Sequence, residues 1–251
     1  MLAEFKFKYD SPIICTAIHN GHDLSEFVLA KTNLSDIERF YEEDPFTEAF
    51  TQDCNNRLIA KVSRFQVDLN RSREKCIYIN PEDAWGLSVR RQEFTENELD
   101  ALYQLYDDFY DDLKKQINRL KESYKEIFVF DIHSYNYRRC GEEADPEKNP
   151  EIILGTSNMP VEYMPLIDDI KSKFDEFVFF GRKLDTRINV TFPGGYFPRW
   201  IHNNFDNVIC VSIEFKKIFM DELAGEVHND MLWELKRVFN TVREMIAEKL
   251  G

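Results

Sequence analysis

Residues 127–136 read IFVFDIHSYN, an apolar run broken by Asp131 and ending in the polar group His133, Ser134, Tyr135 and Asn136. A histidine with a carboxylate two positions before it suits a metal ligand whose far ring nitrogen is held by that acid. The same pattern also fits a histidine at the core edge, satisfied by a backbone carbonyl. Upstream, a short β-prone run at residues 12–18 leads directly into His19-Asn20-Gly21-His22. Asn-Gly marks a turn, and exposed residues at strand ends are where chemistry tends to concentrate. An incidental pair of surface histidines is the plainer alternative. Glu42, Glu43 and Asp44 stand just before Pro45, and the X-Pro step holds Asp44 extended. Three adjacent acids usually form a solvated face. One of them could instead complete a His/carboxylate/His set, and a zinc centre of that composition keeps a fourth position for water.

Other residue types extend this chemistry. Arg64, Arg71 and Arg73 are cations in an acid-rich chain, and arginine suits a bidentate grip on a carboxylate. An ion pair with one of the many Asp or Glu residues competes with that role. The stretch PGGYFPRWIH at residues 193–202 reads as a loop whose paired glycines let the backbone approach a ligand closely, with Arg199 and His202 projecting from it. Glu214 sits late in the buried run VICVSIEF, where a carboxylate is costly unless paired or functional. Beside a metal-activated water it would be a general base. Pairing with Lys216, Lys217 or an arginine is the alternative. The chain has no nucleophile elbow, P-loop or Rossmann glycine pattern.

The elements that must position these residues follow from periodicity. Residues 127–136 begin as a buried parallel-type strand, and residues 12–18, 61–73, 186–192 and 208–215 read as further strands. Residues 96–125 are the clearest helix, with Thr95 as N-cap and Glu98 three positions on. Residues 161–180 start as an amphipathic helix, and residues 229–250 form a closing one. Residues 80–87 read as a loop around a buried Trp85, and residues 138–155 as a long polar loop near the site. Helix-then-strand order predicts an α/β protein with ligands at the carboxyl ends of the strands. The 251 residues contain no repeat or linker and predict one domain over residues 1–251. A net charge of −14 argues against nucleic acid or an anionic membrane as partner but not against a small anionic substrate held by local arginines. No apolar run is long enough to span a membrane, residues 1–10 show no signal-peptide pattern, and the five scattered cysteines read as reduced, so a cytoplasmic location is expected.

The stretches AIHNGHDL, EEDPFT, FQVDLNRSRE, FDIHSYN, GGYFPRW and IEFKKIFMDE, between His19 and Glu222, together resemble the N-formylglutamate amidohydrolase family. The resemblance implies a mixed central sheet flanked by helices, similar to zinc carboxypeptidases in the phosphorylase/hydrolase-like class. It implies a metal-dependent hydrolase of a linear amide, with N-formyl-L-glutamate as type substrate and one zinc ion as cofactor. His19 matches the family's His-(small)-Gly histidine, and His133 that of its Asp-x-His-Ser motif. The metal carboxylate falls within residues 42–44, with Asp44 chosen and Glu43 its rival. Arg71 matches the Asn-Arg step and Glu214 the late-strand glutamate. Zinc on His19, Asp44 and His133 would then activate water, Glu214 would move its proton, and Arg71 would support the oxyanion. Arg199 with Arg64 would grip an acidic small-molecule substrate, with Asn70 and His202 beside them. The first motif reads Ile-His-Asn-Gly-His, where the commoner family form is Pro-His-Ser-Gly, a difference that bears on substrate more than on metal. Two other functions fit less well: a zinc peptidase or amidase acting on a peptide fragment, and a non-catalytic binding module on the same fold.

Overall fold

A computed structural model describes residues 1–138, 145 and 147–250. The chain opens with β1 (Ala3–Phe7), β2 (Ile13–Ala17), three short helices α1 (Glu26–Lys31), α2 (Asp36–Glu42) and α3 (Glu48–Thr51), and β3 (Asn56–Ala60). The long helix α4 (Glu96–Lys121) feeds β4 (Ile127–Tyr135). Then come β5 (Ile152–Gly155), α5 (Met164–Glu176), the small hairpin β6 (Val178–Phe179) and β7 (Arg182–Lys183), β8 (Thr186–Ile188), α6 (Tyr196–Asn204) and β9 (Val208–Lys216). A second hairpin, β10 (Met220–Asp221) and β11 (Glu226–Val227), precedes α7 (Asn229–Leu250). Seven strands make one mixed sheet in the order β1-β3-β2-β4-β9-β5-β8. The central strands β3, β2, β4 and β9 are mutually parallel, while β1 and β5 run antiparallel to their inner neighbours.

Helices cover both faces, so the inner strands are apolar on both sides. Phe128, Phe130 and Ile132 of β4 pack with α3, α5 and α7, while Ile127 and Val129 pack with α4 and α6. On the second face the apolar pattern gives way to polar residues toward the carboxyl ends. Ile14 is followed by Thr16 on β2, Val129 by Asp131 and His133 on β4, and Cys210 by Ser212 and Glu214 on β9. Parallel register aligns these residues: Asp131 lies opposite Thr16 and Ser212, and His133 opposite Glu214. A polar patch, buried except at the partly exposed Glu214, is thereby built at one end of one face.

The capping box at Thr95 is present: its hydroxyl accepts from the Glu98 amide, and the Glu98 carboxylate accepts from the Thr95 amide at 2.7 Å. Several expectations change. Residues 61–73 are irregular, and the strand lies before them at β3. The apparent alternation there arises because Phe65 enters a small cluster with Tyr78, while Val67 and Leu69 enter the main core. Residues 152–155 are the buried strand β5, too short to announce itself; residues 139–144 and 146 of the expected loop lie outside the described residues. The expected strand at 186–192 ends at Ile188, because Asn189 and Thr191 take positive φ. Residues 196–204 are helix α6, so Arg199 and His202 sit on a helix rather than a loop. Trp85 is half-exposed, not buried. No helix among the described residues is long and apolar enough to cross a membrane.

Candidate active site

His19 follows β2 by two residues, and His133 is the seventh residue of β4. Asp44 stands just past the end of α2. The Asp44 Oδ2 atom lies 2.9 Å from His133 Nδ1 and 3.5 Å from His19 Nδ1. All three side chains are buried, and their ligand atoms lie within 4.8 Å of one another. Two imidazole nitrogens and a carboxylate oxygen are the donor set that zinc takes in three-ligand catalytic sites.

Each imidazole is turned by a second acid. His19 Nε2 is 2.8 Å from Asp68 Oδ1, and His133 Nε2 is 3.0 Å from Asp131 Oδ2. This leaves both Nδ1 atoms facing the shared point, the arrangement that fixes ring orientation and raises ligand basicity. Asp131 is itself held by Thr16 Oγ1 at 2.9 Å and Ser212 Oγ at 3.2 Å, one donor from each flanking strand. Asp68 accepts from the Asn70 amide at 2.7 Å, from Arg64 at 2.8 Å and from the Tyr78 hydroxyl. Burial would raise the Asp68 carboxyl, but Arg64 and His19 outweigh it and hold it well below the usual range. Burial also opposes the charge on His133, yet Asp131 and Asp44 raise its imidazole well above the usual value. Asp44 is lowered in turn, because both histidines outweigh its burial. The donor set therefore fits a divalent cation.

Glu43 points elsewhere. Its carboxylate meets His22 Nδ1 at 2.6 Å, Arg39 at 3.6 Å and the Ser63 hydroxyl. Among residues 42–44, only Asp44 belongs to the ligand group. His22 is spent on Glu43 and is not part of it.

A cleft of about 510 Å³ opens over this centre. Glu214, Arg71 and Lys217 line it together with the three ligand residues. Burial pushes the Glu214 carboxyl up to about 7, with the two histidines drawing it back down. Burial pushes the Lys217 ammonium down to about 8. The Arg71 guanidinium lies 6.0 Å from the Tyr78 ring and has no carboxylate partner among the described residues. Ser134 Oγ, at the cleft wall, is buried with no hydrogen-bond partner among the described residues.

The sequence profile of the N-formylglutamate amidohydrolase family matches residues 11–220, which include every one of these groups. The chain belongs to that family. Membership makes it an amidohydrolase. The N-formylglutamate amidohydrolase from Ralstonia eutropha JMP134 has a similar structure, with a TM-score of 0.78 at 16% identity over 99% of this chain and 98% of the other. A gene product from Agrobacterium tumefaciens is also similar, with a TM-score of 0.62 at 15% identity over 98% and 96% of the two chains. At such identities the structural likeness speaks for the fold. No functionally curated protein matches the chain.

Within this amidohydrolase the expected substrate residues fall into different roles. Arg199 lines the cleft from α6, exposed, with the Asn158 side-chain oxygen at 3.2 Å as its hydrogen-bond partner among the described residues. Arg64 also lines the cleft, but its guanidinium is committed to Asp68 and Tyr78 and stacks on Trp85 at 4.9 Å. It supports His19 through Asp68. Asn70 is a cleft residue whose Oδ1 accepts from the Phe197 amide at 2.9 Å, and so it seats the start of α6. The fit is close, because a Cβ on Gly195 would collide with the Asn70 side chain. His202 does not line the cleft. Its Nδ1 donates to the Asn158 carbonyl at 2.6 Å and its Nε2 accepts from the Cys210 amide at 2.9 Å, so it pins α6 to β9. Sequence reasoning gave Asp68 no role. The pairing of an acid with an arginine four residues before it was visible, but nothing local indicates that His19, 49 positions away, completes it.

Proposed function

We propose that this chain hydrolyses the linear amide of an N-acyl amino acid bearing a carboxylate, N-formyl-L-glutamate or a related acidic substrate, as a zinc-dependent enzyme. The observation that carries the reading is the convergence of His19, Asp44 and His133 beneath a cleft that also holds Glu214 and Arg71. Zinc held by those three residues would acidify a water and polarise the scissile carbonyl. Glu214 takes the proton of the attacking water and returns it to the leaving nitrogen, a role suited to a carboxyl near neutrality. Arg71 supplies a fixed cation where negative charge develops on the carbonyl oxygen. Asp68 and Asp131 keep the two imidazoles in the ligating orientation.

Substrate charge is matched by the cleft rather than by the chain. The protein carries −14 overall, yet Arg71, Lys75 and Arg199 line the cleft with no carboxylate partner among the described residues. Arginine and lysine so placed are free to hold a substrate carboxylate. One observation favours a second reading. A cavity of about 510 Å³ lies in the range of sites for drug-sized ligands, roomier than a formylated amino acid requires, and suits a short peptide fragment with a free carboxylate. We relate the sheet to that of zinc carboxypeptidases on the support that His133 lies at, and His19 just beyond, the carboxyl end of a parallel strand. A cytoplasmic setting agrees with the four buried free cysteines among the described residues.

The test is hydrolysis of N-formyl-L-glutamate, longer N-acyl glutamates and short acidic peptides by metal-stripped and zinc-restored protein. Zinc-dependent release of an amine from at least one of these classes is the expected result. No turnover of any of them after zinc loading would contradict the reading.

A further inference from the structure

Lys217 is 1% exposed and lies three residues beyond Glu214. Its ammonium donates to the carbonyls of Tyr41 and Glu43, each at 2.8 Å. The Tyr41 carbonyl also accepts from Asn136 Nδ2 at 2.7 Å. These carbonyls belong to the last turn of α2 and its cap, the stretch that delivers Asp44. A cation on the final carbonyls of a helix is favourable through both hydrogen bonding and the helix dipole. A solvated lysine would serve that purpose as well, whereas burying an ammonium is costly. The burial gives position. Lys217 lines the cleft with Asp44, His133 and Glu214, directly after the strand that places Glu214 opposite His133. One side chain thus ties the strand of the base to the turn of the metal carboxylate. The Asp44 backbone is also held by its amide on the His19 carbonyl at 3.0 Å and by the Thr47 hydroxyl and amide on its own carbonyl at 2.7 and 3.4 Å.

We propose that Lys217 is a positioning residue that sets the Asp44 carboxylate against His19 and His133 for the metal, an inference that rests on the metal-hydrolase reading above. It acts through the Glu43 carbonyl, one peptide before Asp44.

The experiment titrates metal-stripped full-length protein with zinc, and separately with cobalt as a spectroscopic probe, for wild type, Lys217→Met and Lys217→Arg. Wild type should take up both metals. Lys217→Met should lose about 10- to 100-fold in zinc affinity, the range for residues that orient metal ligands. Its cobalt bands should shift and weaken, while the circular dichroism of the stripped protein stays at wild type. Lys217→Arg, which keeps a cation and several donors, should recover most of the affinity and the cobalt spectrum. Lys217→Gln, with a neutral donor, serves if the Met variant does not fold, and its expected affinity is intermediate. Unchanged zinc affinity and cobalt bands in the Met or Gln variant overturn the proposal and leave the hydrolase reading standing. A wild-type protein that takes up neither metal overturns that reading, and the positioning role with it.

Discussion

Asp68 Oδ1 lies 2.8 Å from His19 Nε2, both side chains buried, although they come from an irregular loop and a strand end 49 residues apart. Asp131 repeats the pairing with His133 from a position only two residues away. The same chemical task is therefore met once by long-range folding and once by strand geometry.

If Asp68 orients His19, then Asp68→Asn should weaken zinc binding by about 10- to 100-fold while leaving the fold in place. Competition with a chromophoric chelator reads that change. An affinity equal to wild type would make Asp68 a partner of Arg64 and Tyr78 alone.

Glu214→Gln should lower kcat by about 10²- to 10⁴-fold, the usual worth of a positioned acid–base group, with metal content retained. The pH profile carries the sign. The base works ionised, so activity rises with pH through the Glu214 value, about 7 with no cation bound. A bound cation stabilises the carboxylate and moves that limb to lower pH. In Glu214→Gln the acid limb should vanish from kcat/KM. A limb that persists unchanged would assign it to another group.

Arg199→Ala should raise KM for acidic substrates with little change in kcat, because Arg199 stands at the exposed rim of the cleft. Arg71→Ala, closer to the developing charge on this account, should lower kcat as well. Steady-state kinetics on one acidic substrate and its amide analogue separate the two. An Arg199→Ala enzyme with wild-type KM for every acidic substrate would remove the clamp.

The central strand, the capped helix α4 and the closing helix α7 were legible because each repeats a strong local pattern over many residues. The Asp131–His133 pair was legible for the same reason: alternation alone places residues i and i+2 of a strand on one face. The choice of Asp44 over Glu43 came from the family resemblance and not from the local pattern, because adjacent acids after a helix end differ only in which way the turn sends them. Arg64 read as a substrate clamp, since the sequence gives no sign that Tyr78 and Trp85 fold back to enclose it. His202 read as a ligand contact because a Gly-Gly-Tyr-Phe-Pro stretch resembles a loop. In the fold it starts a helix capped from a distance by Asn70.

The most direct test is the metal content of purified full-length protein, measured by elemental analysis for wild type and His133→Ala after zinc is supplied and the protein re-isolated. The expected result is about one zinc per chain in wild type, the single ion a three-ligand catalytic site holds, and its loss in the variant. No zinc in wild type, or the same content in both proteins, would contradict a metal centre built on His19, Asp44 and His133.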